Sequence, residues 1–394
     1  MGDNSETKNG ADQIDPNIWW GIDDDLTVYS IYGDGDGDKG GSYIYFSFRG
    51  KLIHVSVFPP SLEKSDGSHS EGKQQIEAHA FDLFWEILDE ESEEHYTDIE
   101  DKILLIILEA GKPLLKRLPA EELSDKQCLH SQLFREILMY RLIEGSDDKP
   151  CLIPISAGEA YRAPEAYAEI REDEDIRRAI VDTIPQYSSR DIRLSTFFTQ
   201  GANSVEDNIH INGQEMHCKA SGESLWPESG LGREIRVLSP IQRIFKQGGQ
   251  GLSIQIPLLL GYIKHAETGR IVGTLTKPIS GRILQWIGIA DTDIETKRKW
   301  ASQIRELVRE LHASGVTWGS ARPSNLVVDK NDDVWLYDFQ GGCDQRWMDM
   351  ELYNTIKGDD QAVGRIIEFL DIGEAPAPLA EAVDGLQRVR EAHI

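Results

Sequence analysis

The sequence predicts an α+β protein built from two successive modules, and three patterns carry that reading. Leu26–Gly33 and Ser42–Phe58 alternate apolar with polar residues and are rich in Tyr, Ile, Val and Phe, as half-buried strands are. Ile76–Leu88, Ile99–Leu108 and Leu133–Ile143 place apolar residues at helical spacing, and in the first of them Ile76, Ala80, Phe84 and Ile87 share one face. Far downstream, Trp300, Ile304, Leu307, Val308 and Leu311 mark an amphipathic helix, which a loop, two short strands and an acidic turn follow.

Taken in order, residues 1–18 read as a polar, acidic, disordered tail and 19–156 as an α+β module in which Arg49-Gly50 supplies a hairpin turn. Residues 157–190 are charged, interrupted by Pro164 and Pro185, and read as a linker. A second module spans 191–378, with a first lobe over 191–279 and a second over 280–378, before a tail at 379–394.

Bulk properties exclude several classes. The longest apolar run, Ile103–Leu108, falls far short of the roughly 20 residues a membrane helix needs, so no membrane partner is expected. Met1–Asp15 has no apolar core of a signal peptide, and a cytoplasmic protein is expected. The four cysteines, Cys128, Cys151, Cys218 and Cys343, show neither CxxC pairing nor histidines at zinc-ligand spacing, and read as reduced packing residues. A net charge of −27 with no basic patch argues against nucleic acid as a partner. Asp34-Gly35-Asp36-Gly37-Asp38 resembles the opening of a calcium loop, but Lys39 replaces the turn glycine and Tyr45 the bidentate glutamate, so it reads as a solvated acidic turn.

The informative stretch is Trp318-Gly319-Ser320-Ala321-Arg322-Pro323-Ser324-Asn325-Leu326-Val327-Val328-Asp329, followed by Asp333-Val334-Trp335-Leu336-Tyr337-Asp338-Phe339-Gln340-Gly341-Gly342. It resembles the catalytic loop and metal-binding turn of protein kinases, which read H-R-D-x-x-x-x-N and D-F-G. Ser320 stands five residues before Asn325, in the place of the catalytic aspartate. The resemblance implies that Asn325 and Asp338 are metal ligands, offering hard oxygens to magnesium beside nucleotide phosphates. It implies that Arg322 replaces the loop lysine. Ser320 cannot serve as a carboxylate base, so ordinary kinase catalysis is expected to be lost or severely weakened.

Upstream, Ile209–Gly222 reads as a hairpin turned at Asn212-Gly213 whose second strand carries Lys219. By resemblance, Lys219 is the phosphate-contacting lysine and Glu234, on the helix of Gly232–Leu238, its partner. Ile256–Tyr262 and Arg270–Pro278 then resemble the strands leading to an adenine-contacting hinge near Thr276 to Ile279. The implied architecture is a bilobal protein-kinase-like fold with an abbreviated C-lobe, preceded by the N-terminal α+β module; ATP and Mg are the cofactors it points to, with binding expected to be weak or absent. The wording of Gly-Val-x-Trp-Gly, Asp-Val-Trp-Leu-x-Asp-Phe and Lys357-Gly358-Asp359 is similar to a large group of fungal kinase-like proteins. Those carry Asp at the place of Ser320 and Gly at that of Gln340. In their pattern Asp359 anchors the backbone of the catalytic loop.

Other departures accumulate. Phe197–Val205 has only Gly201 in place of G-x-G-x-x-G, and no A-P-E sequence lies between Asp338 and Asp359. Each assignment also has a plainer counterpart: Lys219 and Glu234 as a surface pair, Asn325 and Asp338 as loop caps, His312 as a cap of its helix end, His217 pointing outward, Trp318 and Trp335 as core. The expected function is a pseudokinase-like regulatory or binding module with an unknown protein or small-molecule partner. An atypical phosphotransferase acting on a small molecule or on itself, and a kinase fold reused for a step of fungal secondary metabolism, are the alternatives.

Overall fold

The computed structural model describes residues 26–34, 40–59, 76–88, 93–119, 127–145, 149–163, 174–195, 199–201, 203–223, 225, 229–246 and 255–373. The acidic turn beyond Asp34 and the two expected tails lie outside these residues. An α+β architecture is observed, in two compact units. The first comprises Met1–Leu123 with Arg135–Pro164, the second Ser124–Phe134 with Glu165–Ile394.

In the first unit a five-stranded sheet runs in chain order through β1 (Leu26–Asp34), β2 (Gly41–Phe48), β3 (Lys51–Val57), β4 (Ile137–Glu144) and β5 (Pro150–Pro154). Arg49 and Gly50 both take positive φ, 51° and 76°, which suits a two-residue hairpin between twisted strands. β3 and β4 are parallel, so the chain must cross over, and α1 (Ile76–Leu88) and α2 (Glu93–Leu115) fill the crossover. Phe84, Ile103 and Ile107 pack there against Phe46, Ile53 and Val55.

The helix expected over Leu133–Ile143 is not formed. Residues 137–144 instead extend between β3 and β5, burying Tyr140 and Leu142 two positions apart. Period two fits those burials, and only the neighbouring strands reveal that this face is the covered one.

The second unit contains α3 (Leu129–Leu133), α4 (Glu174–Ala179), β6 (Gln186–Ser188), β7 (Thr199–Gly201), β8 (Ser204–Ile211) and β9 (Gln214–Ser221). There follow α5 (Gly230–Lys246), β10 (Leu259–Lys264), β11 (Ile271–Thr276), β12 (Arg282–Ile283), α6 (Ile294–Ala313), β13 (Leu326–Val328), β14 (Val334–Leu336) and α7 (Ile356–Phe369). Six strands form one sheet in the order β6-β10-β11-β9-β8-β7, and β12-β13-β14 form a small second sheet. Asn212 and Gly213, at φ 50° and 79°, turn the β8–β9 hairpin as their sequence predicts.

The linker expected over 157–190 is divided between the units. Its α4 and β6 belong to the second, where β6 pairs in parallel with β10, and Ile176 and Ile184 pack with Ile235 and Tyr262. Leu129 and Leu133, expected in the N-terminal module, are also buried in the second unit, against Ile192, Val205 and Ile209.

α6 is capped by Asp293, whose Oδ1 accepts from Thr296 N at 2.9 Å. Its Trp300, Ile304, Leu307, Val308 and Leu311 face Trp318, Leu326, Leu336, Phe339 and Ile366, forming the core on which the loop after α6 and the turn after β14 are seated. Among the described residues, no helix is long and apolar enough to cross a membrane.

His54, at the centre of β3, has no exposed surface, and its Nε2–H donates to the Tyr161 carbonyl at 3.0 Å. Burial disfavours its charged form and lowers its pKa to about 4, although the Tyr161 bond opposes the shift. The unfolded chain therefore binds the proton more readily than the folded one. The contribution is complete above the ordinary value of 6.5 and is lost as pH falls toward 4, at up to about 1.4 kcal/mol per pH unit. The His54 ring is expected to titrate near pH 4 by NMR. The urea midpoint of the first unit should fall between pH 7 and pH 5, and His54→Gln should flatten that dependence.

Candidate functional site

Lys219 lies on β9, opposite Glu206 of β8 and Thr274 of β11. A lysine in a central strand would ordinarily keep its ammonium in water, yet this side chain is only 6% exposed. Its Nζ donates to Glu234 Oε2 of α5 at 3.1 Å and to Asp338 Oδ1, beyond β14, at 3.2 Å. The same Nζ sits 4.7 Å from the centre of the Tyr337 ring. Lys219 meets Glu234, its expected partner, and also Asp338, which the sequence suggested only as a metal ligand; burial excludes a surface pair.

Burial opposes the charge of Lys219, but Glu234, Tyr337, Asp338 and Glu206 outweigh it and raise its pKa above the ordinary lysine value. Glu234, wholly enclosed, is shifted upward by burial despite the ammonium beside it, with Asp338 and Glu206 adding to the shift. The lysine shift is set by the surrounding acids, whereas the Glu234 shift is set first by its burial.

Asp338 adopts φ 56°, a left-handed conformation that Asp tolerates better than most residues. This twist lets Oδ1 accept from Gln340 N at 3.2 Å while also facing Lys219. The Arg322 guanidinium approaches Asp338 Oδ2 only to 4.0 Å. Asn325 donates through Nδ2 to the Ser320 carbonyl at 2.8 Å, which leaves Oδ1 as the atom it offers to a hard cation.

Ser320 is 1% exposed, and its Oγ donates to the Asp338 carbonyl at 2.5 Å. The hydroxyl thus ties two turns together from inside. Of the expected hinge residues, Thr276 is buried at the end of β11 opposite His217. Ile279 lines an apolar cavity of about 490 Å³ with Leu238, Ile241, Ile256 and Trp335, and no residue of the Lys219 cluster borders that cavity. Trp318 is core, as expected, whereas Trp335 is half-buried on the cavity wall.

Three groups escaped sequence reasoning. Tyr337 Oη donates to Glu206 Oε1 at 2.5 Å and lies 2.7 Å from His217 Nε2, which is itself 3.0 Å from the same carboxylate oxygen. His217, expected to point outward, faces into the site. Burial works against the ionised form of Glu206, but the His217 bond, Lys219 and the Tyr337 bond prevail and lower its pKa to about 2. The Tyr337 phenol is raised by burial. Strand alternation from Lys219 would have put His217 on the same face, two residues away, and that was the available signal.

The loop that holds these groups is braced from below. Asp359, with no exposed surface, accepts from Trp318 N and Gly319 N, both at 2.7 Å, and lies 2.9 Å from His312 Nε2. His312 therefore joins α6 to α7 and does not cap its helix end. Arg233, next to Glu234 on α5, donates to the carbonyls of Trp318 at 2.9 Å, Phe339 at 2.5 Å and Thr317 at 2.9 Å. Gly319 has φ 69°, and a Cβ there would collide with the Arg233 guanidinium.

Beside Lys219 the described residues enclose a polar cavity of about 180 Å³, lined by Glu206, Ser221, Glu223 and Gln340 among others. Small-molecule sites commonly occupy about 300–1,000 Å³. No protein-family model and no curated protein matches the chain.

Lys219→Met should destabilise the second unit by about 3–5 kcal/mol, because it strands the buried carboxylate of Glu234. Lys219→Met combined with Glu234→Leu should cost less than the single change. Urea denaturation of the two variants measures the difference, and equal losses would show that the carboxylate is indifferent to its partner.

Proposed function

We propose that the second unit is a pseudokinase-like binding or regulatory module, a kinase-type scaffold without efficient phosphoryl transfer. The scaffold reading draws on topology: β10-β11-β9-β8-β7 with α5 inserted between β9 and β10, a lysine on β9, and its glutamate on α5. The seating of the Trp318–Asn325 loop on Asp359 and of the Asp338 turn beside Lys219 agrees with it. The resemblance to the fungal kinase-like group is the same proposal carried one step further.

The observation that carries the inactive reading is the orientation of Ser320, whose only polar side-chain atom is engaged with the Asp338 carbonyl. A general base must reach the proton it removes, and this oxygen is buried and already donating. A nucleotide also fits poorly. Glu206, His217 and Tyr337 bond to one another across the face beside Lys219, and excess carboxylate there repels a polyphosphate. Asn325 and Asp338 are suitable donors for a hard cation, but one oxygen of Asp338 is committed to Lys219. The module accordingly works by presenting a surface, with the buried ion cluster serving as internal bracing.

Melting the purified chain with and without millimolar ATP and magnesium tests this reading, since a ligand at 100 times its Kd stabilises by about 2.7 kcal/mol. No shift is expected, and no transfer or release of labelled phosphate. Ser320→Asp should not create activity, because the polar cluster and the missing glycine-rich loop remain. Phosphate transfer by the wild-type chain that disappears in Asp338→Ala would overturn the proposal in favour of an atypical phosphotransferase.

A further inference from the structure

Near the β6–β10 side of the six-stranded sheet, three residues from two segments converge: His130 of α3, and His265 and Glu267 of the turn between β10 and β11. Among the described residues this is the one group of His, Cys and acidic side chains whose ligand atoms all lie within 4.8 Å of one another. We propose that His130, His265 and Glu267 form a binding site for a divalent cation of the zinc class, with a fourth position open to solvent.

Two of the donor spacings match the edges of a tetrahedron around zinc, and all three donor atoms lie within 4.8 Å of one another. His130 Nε2 is 3.4 Å and His265 Nδ1 is 3.2 Å from Glu267 Oε2. Bonds of about 2.0–2.1 Å from a tetrahedral zinc ion set its ligand atoms about 3.3–3.4 Å apart. Two imidazoles and one carboxylate are a common donor set for zinc with an open position, and the 48% exposure of Glu267 places that position toward water.

The surroundings orient the donors. His130 Nδ1 lies 2.9 Å from Ser189 Oγ, and a hydrogen bond donated there fixes the tautomer that turns the Nε2 lone pair toward Glu267. Phe134 packs against both rings, at 4.9 Å from His130 and 4.4 Å from His265. Arg190 pairs with Glu267 Oε1, which holds the carboxylate and leaves Oε2 to the histidines. His265 Nδ1 accepts from the amides of Glu267 and Thr268 at 3.2 and 3.1 Å. An ion takes over that lone pair, and the two amides, on exposed residues, return to water at small cost.

His265 and Glu267 are two residues apart in one turn, while His130 lies more than a hundred residues earlier, so no contiguous zinc motif marks the site, which is independent of the Lys219 cluster. A cation there would clip α3 and the strand edge to the β10–β11 turn.

The test is titration of the EDTA-treated full chain with CoCl2, followed by visible absorption, with ZnCl2 as competitor. One equivalent of Co2+ should give the intense d–d bands of a low-coordinate site, zinc should abolish them, and ZnCl2 should raise the Tm. Glu267→Gln, at an exposed position, should keep the circular dichroism of the wild type yet lose the bands and the Tm rise. Ser189→Ala, acting through the His130 tautomer, should weaken binding about 10–100-fold. Absence of the bands in the wild type would overturn the proposal, and so would bands that persist unchanged in both Glu267→Gln and His265→Ala.

Discussion

A single buried ammonium organises the second unit. Lys219 is held between Glu234 of α5 and Asp338 beyond β14, with Glu206 of the neighbouring strand close by. Carboxylates buried to this degree are costly to ionise, and the attraction to one shared cation is what makes the arrangement tolerable. Helix, sheet and turn are thereby fixed to one another at one atom, Nζ. The left-handed backbone of Asp338, and the bonds its carbonyl accepts from Ser320 and Trp318, follow from bringing that carboxylate to the lysine.

A second layer of bracing keeps this cluster from collapsing. Asp359 satisfies two successive backbone N–H groups of the loop, while Arg233 satisfies carbonyls on both the loop and the turn. Donor and acceptor are thus treated by opposite charges from two different helices. Irregular backbone buried without such partners would carry unpaired polar groups costing about 1–3 kcal/mol each. The hydrophobic core around Trp300, Trp318 and Phe339 supplies the platform, and the charged residues specify the conformation of the segments above it.

Charge balance links this bracing to the proposed function. In a region already rich in acid, Ser320 is neutral, and its hydroxyl satisfies the Asp338 carbonyl from inside. Tyr337, His217 and Glu206 meanwhile bond to one another where a ligand would need free donors. A cluster whose polar groups pair internally favours rigidity over recognition of phosphate.

Much of this was legible in the sequence. The β1–β3 and β8–β9 hairpins were written in alternation and in turn residues able to adopt positive φ. The amphipathic stripe of α6 and the spacing of Ser320, Asn325 and Asp338 were equally local. Residues 137–144 were misread as helix because an apolar run takes its conformation from the strands beside it, and β3 lies some 80 residues earlier. α4 and β6 looked like a linker because their few apolar residues are buried only by partners such as Tyr262 and Ile235. Local patterns set by single turns and helix faces were therefore determined by the sequence alone. The inward face of His217, the engagement of Ser320 and the approach of His130 to His265 and Glu267 were decided by tertiary structure, because each depends on which distant segment the chain folds against.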